Sequence, residues 1–410
     1  MEQMVERCAG LDVHKATVAA CVRVPGSNGR RHQEIRTFGT STVELLALRD
    51  WLAGHGVTQV AMEATGVYWK PVYYVLEQDF CVILVNAAHV KQVPGHKTDV
   101  ADCAWLAQLL EHGLLRASFV PPRPIRELRD LTRLRKSLIQ DRAGVINRLH
   151  KVLQDSGIKL SNVATNVLGV SGRAMLSALI GGTNDPDQLA ELARGRLRSK
   201  LPALRQALTG RFRAHHAFLV GQLLAHIDYL EEAVVDLSQR IDELMAPFAA
   251  VLKRLVTIPG VGQRAAEVII AETGSDMSQF PSPQHLSSWA GICPGNDESA
   301  GKRRRGRTRR GNPWLRAGLI EAGQAAARTK RTALSARYRR IMSHRGHNKA
   351  VLAVARSILE ISYHLMRRST TYQELGTDYC DRQHAERVKR RSLAQLERLG
   401  YHVTLTPAAA

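Results

Sequence analysis

The spacing of apolar residues changes character along this chain, and each change marks a different kind of structure. Over residues 8–120, apolar runs of strand length alternate with amphipathic stretches of helix length. "CAGLDVHKATVAACVRV" reads as one or two β-branched strands, and residues 41–54 as a helix carrying Leu45, Leu46, Leu48 and Leu52. "VTQVAMEA" (57–64) is a short strand and "YWKPVYYVLEQDF" a helix or helical turn. "CVILVN" (81–86) reads as a strand buried by its continuous apolar run. A further amphipathic helix grows out of "HKTDVADCAWLA" (96–107), with Thr98 as its candidate N-cap. Strands alternating with helices predict an α/β layered domain over residues 1–120.

"VPPRP" (120–124) punctuates the chain, and the period then becomes helical. Leu128, Leu131, Leu134, Leu138, Ile146, Leu149 and Leu153 trace one long amphipathic helix over 125–155. Leu219, Leu223, Ile227, Leu230 and Leu237 trace a second within 213–256. Two such helices predict a helical region over 121–250, built as an antiparallel arm, a dimer coiled coil or a bundle packing on itself. Residues 251–368 form a third unit, from "LVTIPGVGQRAAEVIIAETG" to the apolar helix "NKAVLAVARSILEISYHLM". The remainder, 369–410, is a basic tail with one helix in "HAERVKRRSLAQLERLG".

Composition leaves this picture globular: 44% of the 410 residues are hydrophobic and 23% charged. Charge alters it, because 58 Lys and Arg against 37 Asp and Glu give a net charge of +21. An Arg-rich excess of that size selects polyanions, and nucleic acid before an acidic protein. The first residues carry charges and no apolar core of a signal peptide, and no stretch approaches the roughly 20 apolar residues of a membrane span. The six cysteines, Cys8, Cys21, Cys81, Cys103, Cys293 and Cys380, include no C-x-x-C pair. Cys21 and Cys81, inside apolar runs, read as small core residues, so a reducing cytoplasm is expected, with no membrane partner.

Three stretches carry chemistry. Asp12 stands in "GLDVHK", Glu63 in "AMEATG", and Asp99 and Asp102 share a helix face at i and i+3. Acids beside core strands are costly unless paired or metal-bound, and four all-oxygen side chains suit Mg²⁺ or Mn²⁺. Capping of the helix dipole also accounts for acids at a helix start, which leaves Asp99 and Asp102 two readings. In "PGVGQRAA", Gly260 and Gly262 sit in a turn between apolar helices that is helix-hairpin-helix-like and offers N–H groups to a phosphate, or is a plain connection. In "NDESAGKRRRGRTRRGN", Ser299 precedes Lys302, Arg303, Arg304, Arg305, Arg307, Arg309 and Arg310. A serine there is a candidate nucleophile and the basic run a phosphate clamp, against a turn serine beside a nonspecific patch. Asn312 then caps a helix with Pro313 at its first position.

"GLDVHK", "MEATGVYW", "HKTDVADCAWLA", "IPGVGQRAAEVIIAETG", "AGICPG", "ESAGKRRRGRTRRGN" and "NKAVLAVARSIL", in that order over residues 8–367, resemble the transposases of the insertion sequence 110 family. The resemblance implies an α/β plus all-α chain. Its parts would be an N-terminal RuvC-like (RNase H-type) domain, a helical or coiled-coil middle, and a mostly helical C-terminal transposase domain with the helix-hairpin-helix-like element. It maps a metal-binding, catalytic tetrad onto Asp12, Glu63, Asp99 and Asp102, and a catalytic serine onto Ser299. It further implies element-end and target DNA as substrates, a structured bridge RNA as guide, and a homo-oligomer, dimer or tetramer, in which acids and serine from different subunits compose one site. A cytoplasmic, nucleoid-associated location follows. One departure is Ala300, which separates Ser299 from Gly301 where the family commonly has glycine directly after the serine.

The leading expectation is therefore an RNA-guided DNA recombinase that forms a phosphoserine link. A metal-only junction nuclease and a nonenzymatic architectural protein are the alternatives.

Overall fold

The computed structural model describes residues 4–26, 30–90, 102–294, 298–299, 302–303, 308, 310–379 and 385–404. The chain divides into two compact units, Met1–Val120 and Pro121–Ala410. The first is mixed α/β around a five-stranded sheet, and the second is mostly helical.

In the first unit the strands are β1 (Cys8–Val13), β2 (Thr17–Pro25), β3 (Arg31–Gly39), β4 (Gln59–Glu63) and β5 (Cys81–Val85), in the order β3-β2-β1-β4-β5. β1 pairs antiparallel with β2 and parallel with β4, so it lies at the centre. Helices α1 (Thr42–Gly54), α2 (Trp69–Leu76), the one-turn α3 (Ala87–Val90) and α4 (Asp102–Glu111) complete it.

The period-two alternation of a strand sends successive side chains to opposite faces, and here the two faces differ in size. One face presents Leu11, Val13, Val18, Val22, Val60 and Met62, which pack under Leu45, Leu48 and Leu52 of α1 and Val72 and Leu76 of α2. The other presents Cys8, Gly10, Ala19, Cys21 and Ala61, and receives α4 through Cys103, Ala107 and Leu110. Small side chains let the helix come close: a Cβ built on Gly10 would stand 2.2 Å from the Cys103 carbonyl oxygen and 2.4 Å from the Ala107 nitrogen. The far end of α4 is fixed by buried Glu111, whose oxygens lie 2.7 Å from Arg23 Nε and 2.8 Å from Arg31 Nε.

One expectation meets a difference here. β5 is an edge strand whose Cys81 is exposed, with only Leu84 and Val85 buried. A continuous apolar run does not distinguish the edge of a sheet from its centre. β3, "RHQEIRTFG", is the opposite edge and mostly exposed, and its polar composition gives no strand signal.

In the second unit α5 (Arg123–Asp155) and α9 (Ala214–Met245) run antiparallel within one chain. Arg135 meets Ser238, Arg142 meets Glu231 and Asp155 meets His216 along their lengths. Residues between them fold into α6 (Val170–Ile180), α7 (Pro186–Glu191) and α8 (Leu201–Leu208). These close a core of Leu160, Met175, Leu176, Leu189, Leu204 and Leu208 onto Leu149, Leu153, Val220 and Ile227 of the long pair.

The chain continues through α10 (Ala249–Val256), α11 (Gln263–Thr273), α12 (Pro283–Trp289), α13 (Pro313–Arg328), α14 (Ala333–Arg345) and α15 (His347–Arg368) to a last helix, Ala385–Arg398. Among the described residues no helix is long and apolar enough to cross a membrane.

Candidate active site

Glu63 ends β4, and Asp12 is the last residue but one of the neighbouring parallel strand β1. The β1–β4 register runs to Leu11 opposite Met62, and one further step sets Asp12 beside Glu63. Asp12 shares its face with Gly10, the face covered by α4, and Asp102 is the first residue of α4. The contact at Gly10 therefore brings the head of α4 to the strand ends. Burial pushes the Cys103 thiol above its ordinary value, and the charges of Asp12 and Asp102 push it the same way, so both carboxylates act on one sulfur. Asp12 Oδ2 also lies 3.1 Å from Nε2 of the exposed His14.

Asp12, Glu63 and Asp102 are thus on one side of one sheet end. They do not all approach within 4.8 Å of one another. Asp99 lies outside the described residues. A donor set made only of carboxylate oxygens fits a hard divalent cation, and at this sheet end Asp12, Glu63 and Asp102 would supply it.

Ser299 belongs to the second unit. It lies in a two-residue strand, β6 (Glu298–Ser299), paired with β7 (Lys302–Arg303), so that Ser299 stands opposite Lys302 and Glu298 opposite Arg303. A further bridge joins Pro294 and Thr308. Backbone contact closes the base of this loop, since a Cβ on Gly311 would lie 2.4 Å from the Gly291 nitrogen. Arg304, Arg305, Arg307 and Arg309 lie outside the described residues, and Arg310 is exposed. The helix that follows starts as its sequence dictates: Asn312 Oδ1 accepts from the Trp314 and Leu315 N–H groups, with Pro313 at the first position.

The two glycines of the α10–α11 turn divide in role. Gly260 (φ +87) faces α13, and an added Cβ would stand 2.4 Å from the Ala326 nitrogen. Gly262 opens α11 with no heavy atom near its missing Cβ.

The same α11 carries a cluster that sequence reading missed. Glu272 is fully buried, and both its oxygens receive Arg133 at 2.7 Å, while Asn312 Nδ2 donates to it at 2.6 Å. Arg129 donates to the Glu272 and Ala271 carbonyl oxygens, and Arg135 pairs with buried Glu267. One carboxylate thereby joins α5, α11 and the cap of the helix after the serine loop. Beside it is a cavity of about 250 Å³ lined by Arg133, Lys136, Arg264, Val268, Trp314 and Gly318, with the Arg133 guanidinium 5.8 Å from the Trp314 ring centre. The available signal was an acid inside the apolar run "AAEVIIAETG" matched by an arginine-rich seam in "RELRDLTRLRK".

Glu272→Gln keeps the shape and removes the charge on which these donors converge. It is expected to lower stability by about 2–3 kcal/mol, read from urea unfolding. Glu321→Gln, an exposed partner of Lys136, should change it by less than about 0.5 kcal/mol.

Comparison with known proteins bears on both units. A family described as "Transposase" matches residues 9–157, and the "Transposase IS116/IS110/IS902 family" matches residues 252–339. The transposase for insertion sequence element IS1111A of Coxiella burnetii is 25% identical over 297 residues, 71% of this chain and 72% of its own. A putative transposase (y4pF/y4sB) of Sinorhizobium fredii is 26% identical over 326 residues, 77% of this chain and 75% of its own. An uncharacterized 42 kDa protein of insertion element IS900 from Mycobacterium paratuberculosis is 27% identical over 304 residues, covering 68% and 74%.

Proposed function

Because the chain carries two transposase domains of the insertion-sequence IS110 kind, we propose that it is a DNA transposase-recombinase that cleaves and exchanges strands at element ends and target DNA under the guidance of a structured bridge RNA. The observation that carries the reading is the placement of Asp12, Glu63 and Asp102 at one end of the sheet, on the face that α4 covers. A mixed sheet with acids at the ends of its central strands supports the RuvC-like (RNase H-type) assignment. Together with Asp99 these acids would hold divalent cations, Mg²⁺ or Mn²⁺. A cation there supplies charge neutralisation at a phosphate oxygen and polarises the phosphorus for attack.

Ser299 is the nucleophile in this reading. Its Oγ forms a bond to a DNA phosphorus as one P–O ester bond breaks, and the departing sugar oxygen takes up a proton as the hydroxyl gives one up. One phosphodiester is exchanged for another, so the energy of the broken bond is kept for rejoining. Lys302, Arg303, Arg304, Arg305, Arg307, Arg309 and Arg310 would hold phosphates around the serine. Gly262 and exposed Arg264 at the start of α11 offer a further phosphate contact, of the kind a helix-hairpin-helix makes, whereas Gly260 is engaged by α13. The net charge of +21 suits both DNA and RNA, and the recombining species would be a homo-oligomer.

The test is a denaturing gel of protein incubated with Mg²⁺, co-purified RNA and DNA spanning an element junction. The wild type should give a covalent protein–DNA adduct that Ser299→Ala abolishes. Cleavage without any adduct, or an adduct that survives Ser299→Ala, would favour the metal-only nuclease. Tight binding with neither cleavage nor adduct would favour an architectural role.

A further inference from the structure

A second constellation of ligating side chains lies in the first unit, on the face of the sheet opposite α4. His32 and Glu34 project from β3 to the α1 side, as their partners Val24 and Val22 on β2 require. There they meet His55, the residue that caps the C-terminus of α1. Glu34 Oε2 lies 3.3 Å from His55 Nε2 and 3.7 Å from His32 Nε2, and all three donor atoms fall within 4.8 Å of one another.

The protons sharpen this arrangement. His55 Nδ1 lies 2.8 Å from the Trp51 carbonyl oxygen. A carbonyl only accepts, so Nδ1 carries the hydrogen, and in the neutral ring Nε2 presents a lone pair to a carboxylate oxygen. Two acceptors do not face each other at 3.3 Å unless a cation stands between them, either a second proton on the imidazole or a metal ion. An imidazole held through its other nitrogen by a backbone carbonyl is the orientation that metal-ligating histidines take. A tetrahedral zinc site with bonds of about 2.0–2.1 Å has ligand atoms roughly 3.4 Å apart, close to the spacing here. Exposed His32 and Glu34 leave a path for entry and a position for water.

We propose that His32, Glu34 and His55 bind a divalent transition-metal ion of the zinc type. It is separate from the acids of Asp12, Glu63 and Asp102, because imidazole nitrogens select zinc-like ions and carboxylates alone select magnesium-like ones. The site ties the open-edged strand β3 to the end of α1. Arg7 Nη1 holds the His55 carbonyl oxygen at 2.7 Å, so the backbone that carries one ligand is already fixed. Phe38 and Trp51, with ring centres 5.5 Å apart, anchor the same strand to the same helix deeper in.

The experiment uses the full chain, stripped with chelator and desalted, at pH 7.5. Co²⁺ is titrated in and its visible absorption followed, Zn²⁺ is then used to displace it, and thermal unfolding is recorded with and without Zn²⁺. The wild type should bind one equivalent more than the His32→Ala/His55→Ala double variant, one that Zn²⁺ competes away, and should unfold at a higher temperature with Zn²⁺. His55→Ala and His32→Ala should each lose that equivalent, Glu34→Gln should bind at least tenfold more weakly, and Asp12→Asn should retain it. The exposed His32 makes its variant a check that does not depend on helix α1 folding. Absence of a Zn²⁺-dependent shift in the wild type, or a His32→Ala/His55→Ala double variant that binds as many equivalents as the wild type, overturns the proposal.

Discussion

Gly10→Val is expected to cost about 4 kcal/mol of stability or more and to detach α4 from the sheet. The new Cβ would overlap the backbone of α4, at the Cys103 oxygen and the Ala107 nitrogen, rather than the tip of a side chain that could swing away. The helix would have to withdraw by more than an ångström, opening the interfaces of Cys8, Ala61 and Leu110 and of Cys21, Cys103 and Ala107. Gly144 in α5 is the contrasting case: nothing lies within 4 Å of its missing Cβ. Gly144→Ala should therefore raise stability by about 0.5–1 kcal/mol, through better helix propensity and a less flexible unfolded chain. Urea unfolding of the two variants separates close approach from mere flexibility as the reason for glycine. Equal and small effects would show that α4 does not need the contact. Because Asp102 begins α4, the Gly10 variant should also lose any activity that depends on that carboxylate.

This contrast shows which parts of the molecule were legible in the sequence. Large apolar residues at period two or 3.6 announce themselves, so β1, β4, α1, α5, α9 and α15 could be read directly. The opposite face of the same sheet is built from Cys8, Gly10, Ala19, Cys21 and Ala61, whose message is only that something comes near. The edge strands were hard to read for a related reason. Pairing on one side asks little of side chains, so polar β3 gave no signal, while apolar β5 looked buried. Residues 156–213 escaped because three short helices and 3₁₀ turns never sustain a period long enough to count. At the site, acids at strand ends were visible as isolated letters. Their common face follows from the register of β1 against β4, which no local pattern contains. Glu272 shows the same limit: its partners on α5 are about 140 residues away in sequence.

Asp12→Asn should lower strand cleavage and adduct formation by about 10³-fold, equivalent to about 4 kcal/mol of transition-state stabilisation, while leaving the fold intact. Asparagine has nearly the shape of aspartate, and the Asp12 side chain is 26% exposed, so the lost ion pair with exposed His14 costs little stability. What disappears is a negative oxygen at the point where β1, β4 and the head of α4 meet. On the proposed reading, a neutral amide there would weaken the hold on a divalent cation and leave the acids around it without their shared counter-ion. The reading is specific in three ways. Affinity for DNA should persist, because the basic run proposed to hold phosphates, Lys302 to Arg310, belongs to the second unit and is untouched. Raising Mg²⁺ or Mn²⁺ should recover part of the rate, because weaker cation binding is offset by mass action. His14→Ala, which removes the neighbour but keeps the carboxylate, should cost far less than Asp12→Asn. If cleavage by Asp12→Asn matched the wild type at low Mg²⁺, the acids at the sheet end would be structural. Ser299 would then have to act without them.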